Sequence, residues 1–382
     1  MNTMSAQKKT RLLFVSAAGI EHGGVQNVLL SWVKELPRDK YDISWIAFGY
    51  CKSEELKSIY IKNGVACYCG NMSDNQPFFH LRCFLYLMKV MSKGSYDIIH
   101  INTGVISVMF LSLLTSKIQC IPFRIAHSHN CRNEKNEKNK FKIIVRKGLR
   151  RYINASANKK LACSSCAAQW MFGDDCKDYQ VIVNPILDID KFVFSPLERV
   201  AMRKLLGLKE STRVFGVVGA LNAQKNVRFA INVFKCLLTT SQDSVLIIVG
   251  DGNMRDEISD MINNYHLEDS VMLLGERADI YNIMQAMDCL LFPSIYEGYG
   301  LVAVEAQISG MPVYASSNVP RDVDCSDKIF HLNLSAGPAQ WANYINQTFS
   351  IDNNRVDSSK RTYDVVKNKC DSVSTPLEWY SK

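Results

Sequence analysis

The sequence of 382 residues lacks the features by which several classes of protein are recognised. No apolar run reaches the about 18 residues that a membrane-spanning helix needs. The longest candidate, Val105 to Leu114, is interrupted by serine and is too short. The first ten residues carry charge but no apolar segment typical of a signal peptide. We therefore expect a cytoplasmic protein without a membrane span, which could still lie peripherally on the inner face of the plasma membrane.

The sequence also lacks a cysteine framework. Its thirteen cysteines are an odd number and several lie inside apolar runs, as Cys163 and Cys289 do, so we expect reduced thiols that serve as small apolar residues. Cys163 and Cys166 have zinc-ligand spacing, but no second pair lies nearby in the sequence and a structural zinc site needs four ligands. The cysteine pattern therefore predicts neither a zinc site nor redox chemistry.

No Gly-x-Gly-x-x-Gly motif follows any predicted strand, which argues against a nicotinamide dehydrogenase. What the chain does contain is a series of short Val/Ile/Leu/Phe runs that alternate with helical patterns. Near-continuous apolar runs are typical of parallel strands buried on both faces, with helices as the crossovers. The sequence thus predicts an α/β protein with strands at 11–16, 43–48, 65–69, 97–102, 124–127, 160–163, 180–183, 213–219, 244–249, 270–274, 289–292, 312–315 and 328–332.

This length is sufficient for two doubly wound, Rossmann-like domains. The prolines in the stretch from Asn184 to Pro196 favour a boundary there, since each disfavours helix in the residue before it. We predict an N-terminal domain over residues 1–190 and a C-terminal domain over 191–369. Leu377, Trp379 and Tyr380 supply side chains for packing in a last segment at about 370–382.

Charge is concentrated in one segment. Between Arg132 and Lys160 there are eleven Lys or Arg residues and two Glu residues, whereas the net charge of the whole chain is +8. Arg146, Lys147, Arg150 and Arg151 recur at helical spacing beside an apolar side, as in helices that lie on anionic membranes. An ordinary solvated surface helix is the alternative. No nucleic-acid-binding motif accompanies the charge, so we expect no nucleic acid partner.

The most informative stretch runs from Pro293 to Ala306. It follows a predicted buried strand, and a glycine-flanked loop separates Glu297 from Glu305, which the pattern places in a helix that opens near Gly300. Backbone N–H groups at a helix start can hold a phosphate, and carboxylates can accept hydrogen bonds from sugar hydroxyls. The combination suits a sugar nucleotide.

Other polar groups follow predicted strands, where ligands of doubly wound sheets bind. Alternation places His127 and His129 on one face, and a histidine at a cleft edge could orient a sugar. Glycines that permit close backbone approach occur at Gly23-Gly24 and in Gly250-Asp251-Gly252, and Lys225 follows the strand that ends at Gly219. Each of these motifs alone is also compatible with an ordinary turn or surface residue.

Together these motifs resemble the retaining glycosyltransferases of family four, which have the GT-B fold. The segment from Glu297 to Glu305 resembles that family's Glu-x7-Glu signature, and segment 126–130 resembles its histidine segment in the form seen in exopolysaccharide and capsule transferases. The chain as a whole resembles sugar transferases of the exopolysaccharide, capsule and O-antigen type. The segments 23–26, 126–130, 219–226, 250–252 and 275–277 match in order and spacing, so the similarity covers roughly residues 11 to 380. Two positions depart from the family pattern, since Gln26 stands where many relatives have Glu and Ala220 stands where the family has an arginine of its phosphate clamp.

The resemblance implies that the C-terminal segment, at about 370–382, crosses back onto the first domain. It also implies a transfer, with retention, of a hexosyl or N-acetylhexosaminyl group from a nucleoside diphosphate donor, which we expect to be UDP-linked, to a saccharide acceptor. We expect this acceptor to be lipid-linked, because that would explain both the basic segment and the absence of a membrane span. The resemblance implies His129, Lys225 and Glu297 as catalytic residues. It implies donor-binding roles for Gly23, Gly24, His127, Asn222, Gly250, Arg277, Ala278, Gly298, Tyr299, Gly300, Leu301 and Glu305. No cofactor or metal is implied, since the family works without one and no Asp-x-Asp pair lies beside the phosphate motifs.

Two alternatives remain open at the level of sequence. A GT-B-like epimerase of nucleotide sugars would need an acid/base set that is not evident. A non-catalytic protein that binds sugar nucleotides is supported by Ala220 at the arginine position.

Overall fold

The computed structural model describes residues 8–21, 23–73, 75–131, 139–350, 354–371 and 376–380. It divides into two compact units, the first comprising Met1–Leu187 with Val373–Lys382 and the second Asp188–Ser372. The boundaries predicted from the sequence are 190 and about 370. Part of the predicted returning segment, residues 372–375 and 381–382, lies outside the described residues.

The first unit is built around a parallel seven-stranded sheet. Its strands are β1 (Thr10–Ser16), β2 (Tyr41–Ala47), β3 (Val65–Cys69), β4 (Ile98–Thr103), β5 (Phe123–Ser128), β6 (Lys159–Ala162) and β7 (Gln180–Val181), in the order β3-β2-β1-β4-β5-β6-β7. Its helices are α1 (Gly24–Glu35), α2 (Glu54–Lys62), α3 (Phe79–Met91), α4 (Ile106–Ile118), α5 (Lys140–Ser156) and α6 (Ser165–Phe172).

The second unit is built around a parallel six-stranded sheet. Its strands are β8 (Arg213–Val218), β9 (Ser244–Val249), β10 (Val271–Gly275), β11 (Cys289–Phe292), β12 (Val313–Ser316) and β13 (Ile329–Leu332), in the order β10-β9-β8-β11-β12-β13. Its helices are α7 (Pro196–Leu205), α8 (Val227–Leu238), α9 (Arg255–Asn264), α10 (Ile280–Ala286), α11 (Leu301–Ile308), α12 (Pro338–Thr348) and α13 (Arg355–Asp371). The last helix, α14 (Pro376–Tyr380), belongs to the first unit.

The predicted fold class is confirmed, and each predicted strand agrees with an observed one to within two residues at either end. The reason is burial on both faces of the sheets. Every residue of β4 and of β11 is buried, so neither strand shows the alternation of a half-exposed one. Helix starts are also encoded locally, as at α7, where the Ser195 side chain accepts a hydrogen bond from the N–H of Glu198 and Pro196 occupies the first turn.

The C-terminal helix α14 packs on the first unit through two aromatic side chains. Trp379 meets Trp32 of α1 edge-on at 5.3 Å, and the hydroxyl of Tyr380 lies 2.8 Å from Nδ1 of His100 in β4. Trp379 and Tyr380 are buried, as expected, whereas Leu377 remains 41% exposed. Two aromatic residues therefore dock this helix, and Leu377 contributes little.

Candidate active site

Glycines at the carboxyl ends of β8 and β9 bring two loops of the second unit into close approach. Gly219 and Gly250 have φ values of +148° and +136°, which other residues adopt only with strain. A Cβ on Gly250 would lie 2.0 Å from the carbonyl oxygen of Gly219. Only glycine fits at residue 250, so Gly250 shapes this edge of the sheet through its backbone.

The loop after β8 is tied to the loop after β11 by hydrogen bonds. The N–H of Ile295 donates to the carbonyl of Gln224 (2.8 Å), and the Gln224 side chain donates to the carbonyl of Tyr296 (3.0 Å). Asn222, predicted to bind the donor, accepts a hydrogen bond from the N–H of Lys225 (3.1 Å). Asn222 therefore holds the backbone that presents Lys225.

Lys225 and Glu297 form an ion pair in the second unit. Their Nζ and Oε1 atoms are 2.6 Å apart, and the side chains are 19% and 6% exposed. The ammonium group also lies 5.2 Å from the centre of the Phe292 ring. The structure thus brings together a cation and a carboxylate that lie 72 residues apart in the sequence. Because both are largely removed from water, the pair fixes the direction in which the lysine charge points.

Glu305 lies in helix α11, next to this pair. Gly300, with a φ of +104°, immediately precedes the helix, and Glu297 lies on the loop before it, both as predicted. Burial raises the pKa of Glu305 to about 7, and the charge of Lys225 opposes that rise. Lys225 therefore acts electrostatically on both predicted carboxylates. The other donor-binding residues predicted in this loop, Gly298, Tyr299 and Leu301, are buried or partly buried beside them.

Ala220, which stands where the family has an arginine, is exposed at this edge of the sheet. Arg228 could in principle supply the missing charge, but its guanidinium pairs with Glu257 at 2.6 Å and both side chains are about half-exposed. In the predicted phosphate-binding segment, residues 219–226, Lys225 is therefore the side chain that can offer a positive charge to a phosphate.

Arg277 and Ala278 follow β10, where the resemblance implies contact with the base. The Arg277 guanidinium donates to both carboxylate oxygens of Asp279, each at 2.8 Å. This side chain is committed to its neighbour and Ala278 is exposed, so a base bound here would be contacted through backbone groups.

In the first unit the two predicted histidines lie side by side. The rings of His127 and His129 are 4.1 Å apart, in agreement with the prediction that both lie on one face. Nε2 of His129 lies 2.9 Å from Oδ1 of Asn102, whose amide nitrogen donates to a backbone carbonyl at 3.1 Å. Oδ1 therefore accepts, so Nε2 of His129 carries the proton and Nδ1 is the acceptor nitrogen. Burial lowers the pKa of His129 to about 3, which keeps the ring neutral at pH 7.

A third histidine, His100, was not predicted. It is fully buried in β4, its Nε2 lies 3.2 Å from Nδ1 of His127, and Trp32 stacks on both rings. Burial lowers the pKa of His100 and of His127 well below the usual value. His100 lies within an apolar run, so the sequence pattern assigns it to the core. Its position beside His127 follows from the pairing of strands β4 and β5, which the pattern does not show.

Nε2 of His127 has no hydrogen-bond partner among the described residues.

Gly23 and Gly24, predicted to bind the donor, lie at the start of α1. Gly23 caps the helix in an extended conformation and Gly24 is its first residue. Gln26 is buried, and its amide nitrogen donates to the carbonyl of Gly19 at 2.9 Å. Gln26, which stands where many relatives have Glu, thus fixes the loop between β1 and α1 through this hydrogen bond.

The expectation that all cysteines are reduced is wrong for one pair, because the structure joins Cys131 to Cys166 in a disulfide with a Cα–Cα distance of 5.6 Å. The reason is topological: β5 and β6 are neighbours, with Ser128 opposite Ala162, so the residues that follow both strands meet. The Cys163–Cys166 spacing therefore has no role as a metal pair. Among the described residues no group of three or more His, Cys, Asp or Glu side chains could hold a metal ion.

Within the described part of the chain, the helices are too short or too polar to cross a membrane. Residues 132–138 of the predicted basic segment lie outside the described residues. The rest of that segment forms α5 and enters β6.

Comparison with known families identifies two matches, one in each unit. The model for "Glycosyltransferase Family 4" matches residues 22–186, and the model for "Glycosyl transferases group 1" matches residues 198–363.

Among curated proteins, EpsF of Bacillus subtilis, named as a glycosyltransferase, is 25% identical over 346 residues, which are 89% of this chain and 88% of the relative. The UDP-Gal:alpha-D-GlcNAc-diphosphoundecaprenol alpha-1,3-galactosyltransferase of Escherichia coli is 29% identical over 310 residues, covering 77% and 76%. Among solved structures, Anabaena HepE in complex with UDP and glucose has a TM-score of 0.72 at 22% identity and covers 95% and 94% of the two chains.

Proposed function

Because the chain belongs to glycosyltransferase family 4 and has the GT-B fold, we propose that it transfers a hexosyl or N-acetylhexosaminyl group from a UDP-linked donor to a saccharide acceptor with retention of configuration. The observation that carries this proposal is the arrangement of Lys225, Glu297 and Glu305 at one edge of the second sheet. The choice of UDP is supported by the HepE structures, which were solved with UDP and with UDP-glucose.

In this proposal the second unit binds the nucleoside diphosphate. The diphosphate gains negative charge as the sugar leaves, so it needs a cation and N–H donors at that point. Lys225 supplies the cation, and the start of α11 after Gly300 supplies N–H groups. Glu305, four residues into that helix, accepts hydrogen bonds from the ribose diol. Glu297 holds Lys225 until the diphosphate takes its place, and then faces the transferred sugar.

The first unit provides neutral imidazoles. A histidine with a pKa of about 3 is a hydrogen-bonding group and a poor proton carrier at neutral pH. His129 therefore orients a sugar hydroxyl through Nδ1, and His127 offers a buried Nε2 that has no partner within the described residues. No side chain is assigned as a covalent nucleophile, and the departing phosphate accepts the proton of the acceptor hydroxyl. No metal takes part in this scheme, since Lys225 and the backbone dipoles stabilise the charge.

We further propose that the acceptor is lipid-linked and that the product belongs to a bacterial surface polysaccharide such as capsule or O-antigen. The Escherichia coli relative is named for a diphosphoundecaprenol-linked acceptor. The protein would then work at the inner face of the plasma membrane, with the basic segment 132–160 toward anionic lipid.

The basic residues of α5 are not equivalent in this role. Arg146 and Arg150 lie over the Trp170 ring at 5.0 and 5.8 Å, and Arg150 donates to the carbonyl of Trp170 at 3.0 Å. These two arginines pack α5 against α6. Lys142, Lys147 and Arg151 are exposed and are the residues that can face lipid headgroups.

The test combines binding with turnover. UDP, GDP and ADP are titrated calorimetrically into the intact protein, and UDP-sugars are then incubated with a diphospholipid-linked saccharide, with the anomeric configuration of the product read by NMR. We expect UDP to bind most tightly and the product to keep the donor's configuration. Epimerised UDP-sugar without transfer would favour the epimerase, and binding without hydrolysis or transfer would favour the non-catalytic binder that Ala220 suggests.

A further inference from the structure

Helices α3, α4 and α5 form one layer on the first sheet. They connect β3 to β4, β4 to β5 and β5 to β6, which are successive steps in the same direction across the sheet. Right-handed crossovers place such helices on the same face. Helix α4 packs against both α3 and α5. The outer sides of the three helices therefore form one continuous surface.

All three helices begin beside an exposed apolar residue. Phe78 immediately precedes α3 and is 77% exposed, Val105 immediately precedes α4 and is 44% exposed, and Phe141 is the second residue of α5 and is 74% exposed. Since each helix follows the carboxyl end of a strand, the three residues line one edge of the unit. We call Phe78, Val105 and Phe141 the helix-start rim. It lies along the same edge of the sheet as His129, which follows β5.

The apolar surface continues behind the rim. Leu81 and Leu85, one turn apart on α3, are 54% and 57% exposed, and Ile144 and Val145 on α5 are 68% and 43% exposed. Single exposed apolar side chains are ordinary, but exposed apolar residues on both α3 and α5, the two helices that flank α4, together with the rim mark this layer as an interaction surface.

The charge of this layer has one sign. The described residues of the three helices, 79–91, 106–118 and 140–156, include no Asp or Glu. The basic residues are Arg82 and Lys89 on α3, Lys117 on α4, and the group between Lys140 and Arg151 on α5. The positive ends of all three helix dipoles also lie at the rim. A partner must therefore be both apolar and negatively charged over a broad area.

We propose that the helix-start rim inserts into the interfacial layer of an anionic bilayer, with the basic residues behind it contacting lipid headgroups. An anionic bilayer fits because it offers negative headgroups above an apolar interior, the same order of chemistry that the surface presents. The proposal rests on the lipid-linked acceptor proposed above and extends it, because it names α3 and the rim as parts of the contact and directs the edge with His129 toward the lipid surface.

The test separates insertion from electrostatic attraction. Binding of the intact protein to vesicles of phosphatidylcholine mixed with phosphatidylglycerol is measured by sedimentation at low and high salt. Phe78→Ser with Phe141→Ser should weaken binding at both salt concentrations by about tenfold for each phenylalanine, the effect of keeping an apolar side chain of this size in water. The matched control is Leu197→Ser with Leu205→Ser, which removes side chains that are 82% and 72% exposed on α7 in the second unit.

A second variant examines the basic residues. Changing Lys142, Lys147 and Arg151 to Gln should weaken binding mainly at low salt, since salt screens exposed charges. Vesicles of phosphatidylcholine alone should bind far less than the mixed vesicles. Equal vesicle binding by the rim variant and its control would overturn the proposal. A change in self-association of the rim variant without a change in vesicle binding would also overturn it, in favour of a contact between copies.

Failure of this proposal and failure of the proposed function give different results. The rim variant should bind UDP as the unmodified protein does and should transfer sugar to an acceptor held in detergent micelles. Loss of vesicle binding with both activities intact supports the rim. Intact vesicle binding without UDP binding or transfer would leave the membrane contact standing and would contradict the glycosyltransferase mechanism.

Discussion

The two units bury different kinds of ionisable group in their sheets and in the loops at the carboxyl ends of the strands. In the first unit His100, His127 and His129 are packed with Trp32, and burial lowers the pKa of each ring. In the second unit Lys225 is paired with Glu297, and burial raises the pKa of Glu305 to about 7. The histidines of the first unit are therefore neutral, whereas the second unit holds a cation that is paired with a carboxylate. A neutral edge suits hydrogen bonds to a sugar, and a cation suits a diphosphate.

The largest effect expected from this comparison is acid sensitivity confined to the first unit. An unfolded histidine takes up a proton below pH about 6.5, whereas the buried rings stay neutral, so stability is full above that pH and falls as the pH falls. For His129, whose folded pKa is about 3, the free energy of unfolding should fall by about 2 kcal/mol between pH 6.5 and pH 5, and His100 and His127 act in the same direction. Hydrogen exchange, corrected for intrinsic rates, should show protection lost in β4 and β5 but kept in β8 and β11. Equal loss in both sheets would contradict the comparison.

The raised pKa of Glu305 should make the stability of the second unit depend on pH in the opposite direction, which the same experiment can measure. Its folded pKa of about 7 exceeds the unfolded value of 4.5, so its contribution is present below pH 4.5 and is lost as the pH rises through 7. The second unit should therefore lose stability, by no more than about 3 kcal/mol, as the pH rises from 4.5 to 7. Glu305→Gln should remove this dependence and leave the acid response of the first unit unchanged.

Removal of the cation should have the next largest effect. If Lys225 stabilises the developing charge of the diphosphate, Lys225→Ala should reduce kcat by about 10²-fold or more. The variant leaves Glu297 largely buried without its partner, so Lys225→Met with Glu297→Gln serves as a control that removes both charges. Steady-state transfer assays measure the effect, and full turnover by either variant would place the phosphate clamp elsewhere.

Glu305→Ala should weaken UDP binding by about 1–3 kcal/mol, the range for a hydrogen bond to a charged group. Because the carboxylate form accepts both ribose hydroxyls, affinity for UDP should also rise with pH through about 7, and Glu305→Gln should flatten that rise. Calorimetry over a pH series measures both effects. Unchanged affinity in Glu305→Ala would remove this residue from the nucleotide site.

The smallest effect concerns the missing arginine. Ala220 is exposed beside the Lys225 loop, so Ala220→Arg adds a second cation without displacing a packed side chain. We expect donor affinity or rate to rise up to about tenfold, a gain typical of a partly exposed charge next to phosphate. Ala223→Arg, at another exposed position of the same loop, is the matched control and should give a smaller gain.

Burial explains which parts of this account could be predicted from the sequence. Strands such as β4 and β11 are apolar throughout, and glycines with positive φ mark the loop ends, so strand positions and the Glu297–Glu305 loop were both predicted. Contacts between residues that are far apart in the sequence could not be predicted in this way. The ion pair between Lys225 and Glu297, the position of His100 beside His127 and the disulfide between Cys131 and Cys166 all depend on which strands become neighbours.

The helix-start rim could be predicted only in part. The basic, apolar helix that became α5 was recognised as one that could lie on an anionic membrane, and the structure leaves its Phe141 and Ile144 74% and 68% exposed. Phe78 and Val105 were not singled out, because the packing of α3 and α4 beside α5 depends on the order of the strands. Periodicity gives the apolar side of a helix and does not tell whether protein covers it.

The most direct test of the division between the units is UDP binding by His129→Ala and Glu305→Ala, measured beside sugar transfer by the same proteins. The account predicts that both variants lose transfer activity, while only Glu305→Ala loses UDP affinity, because the nucleotide is bound by the second unit and the histidine contacts the sugar. Loss of UDP affinity in His129→Ala together with unchanged affinity in Glu305→Ala would contradict it.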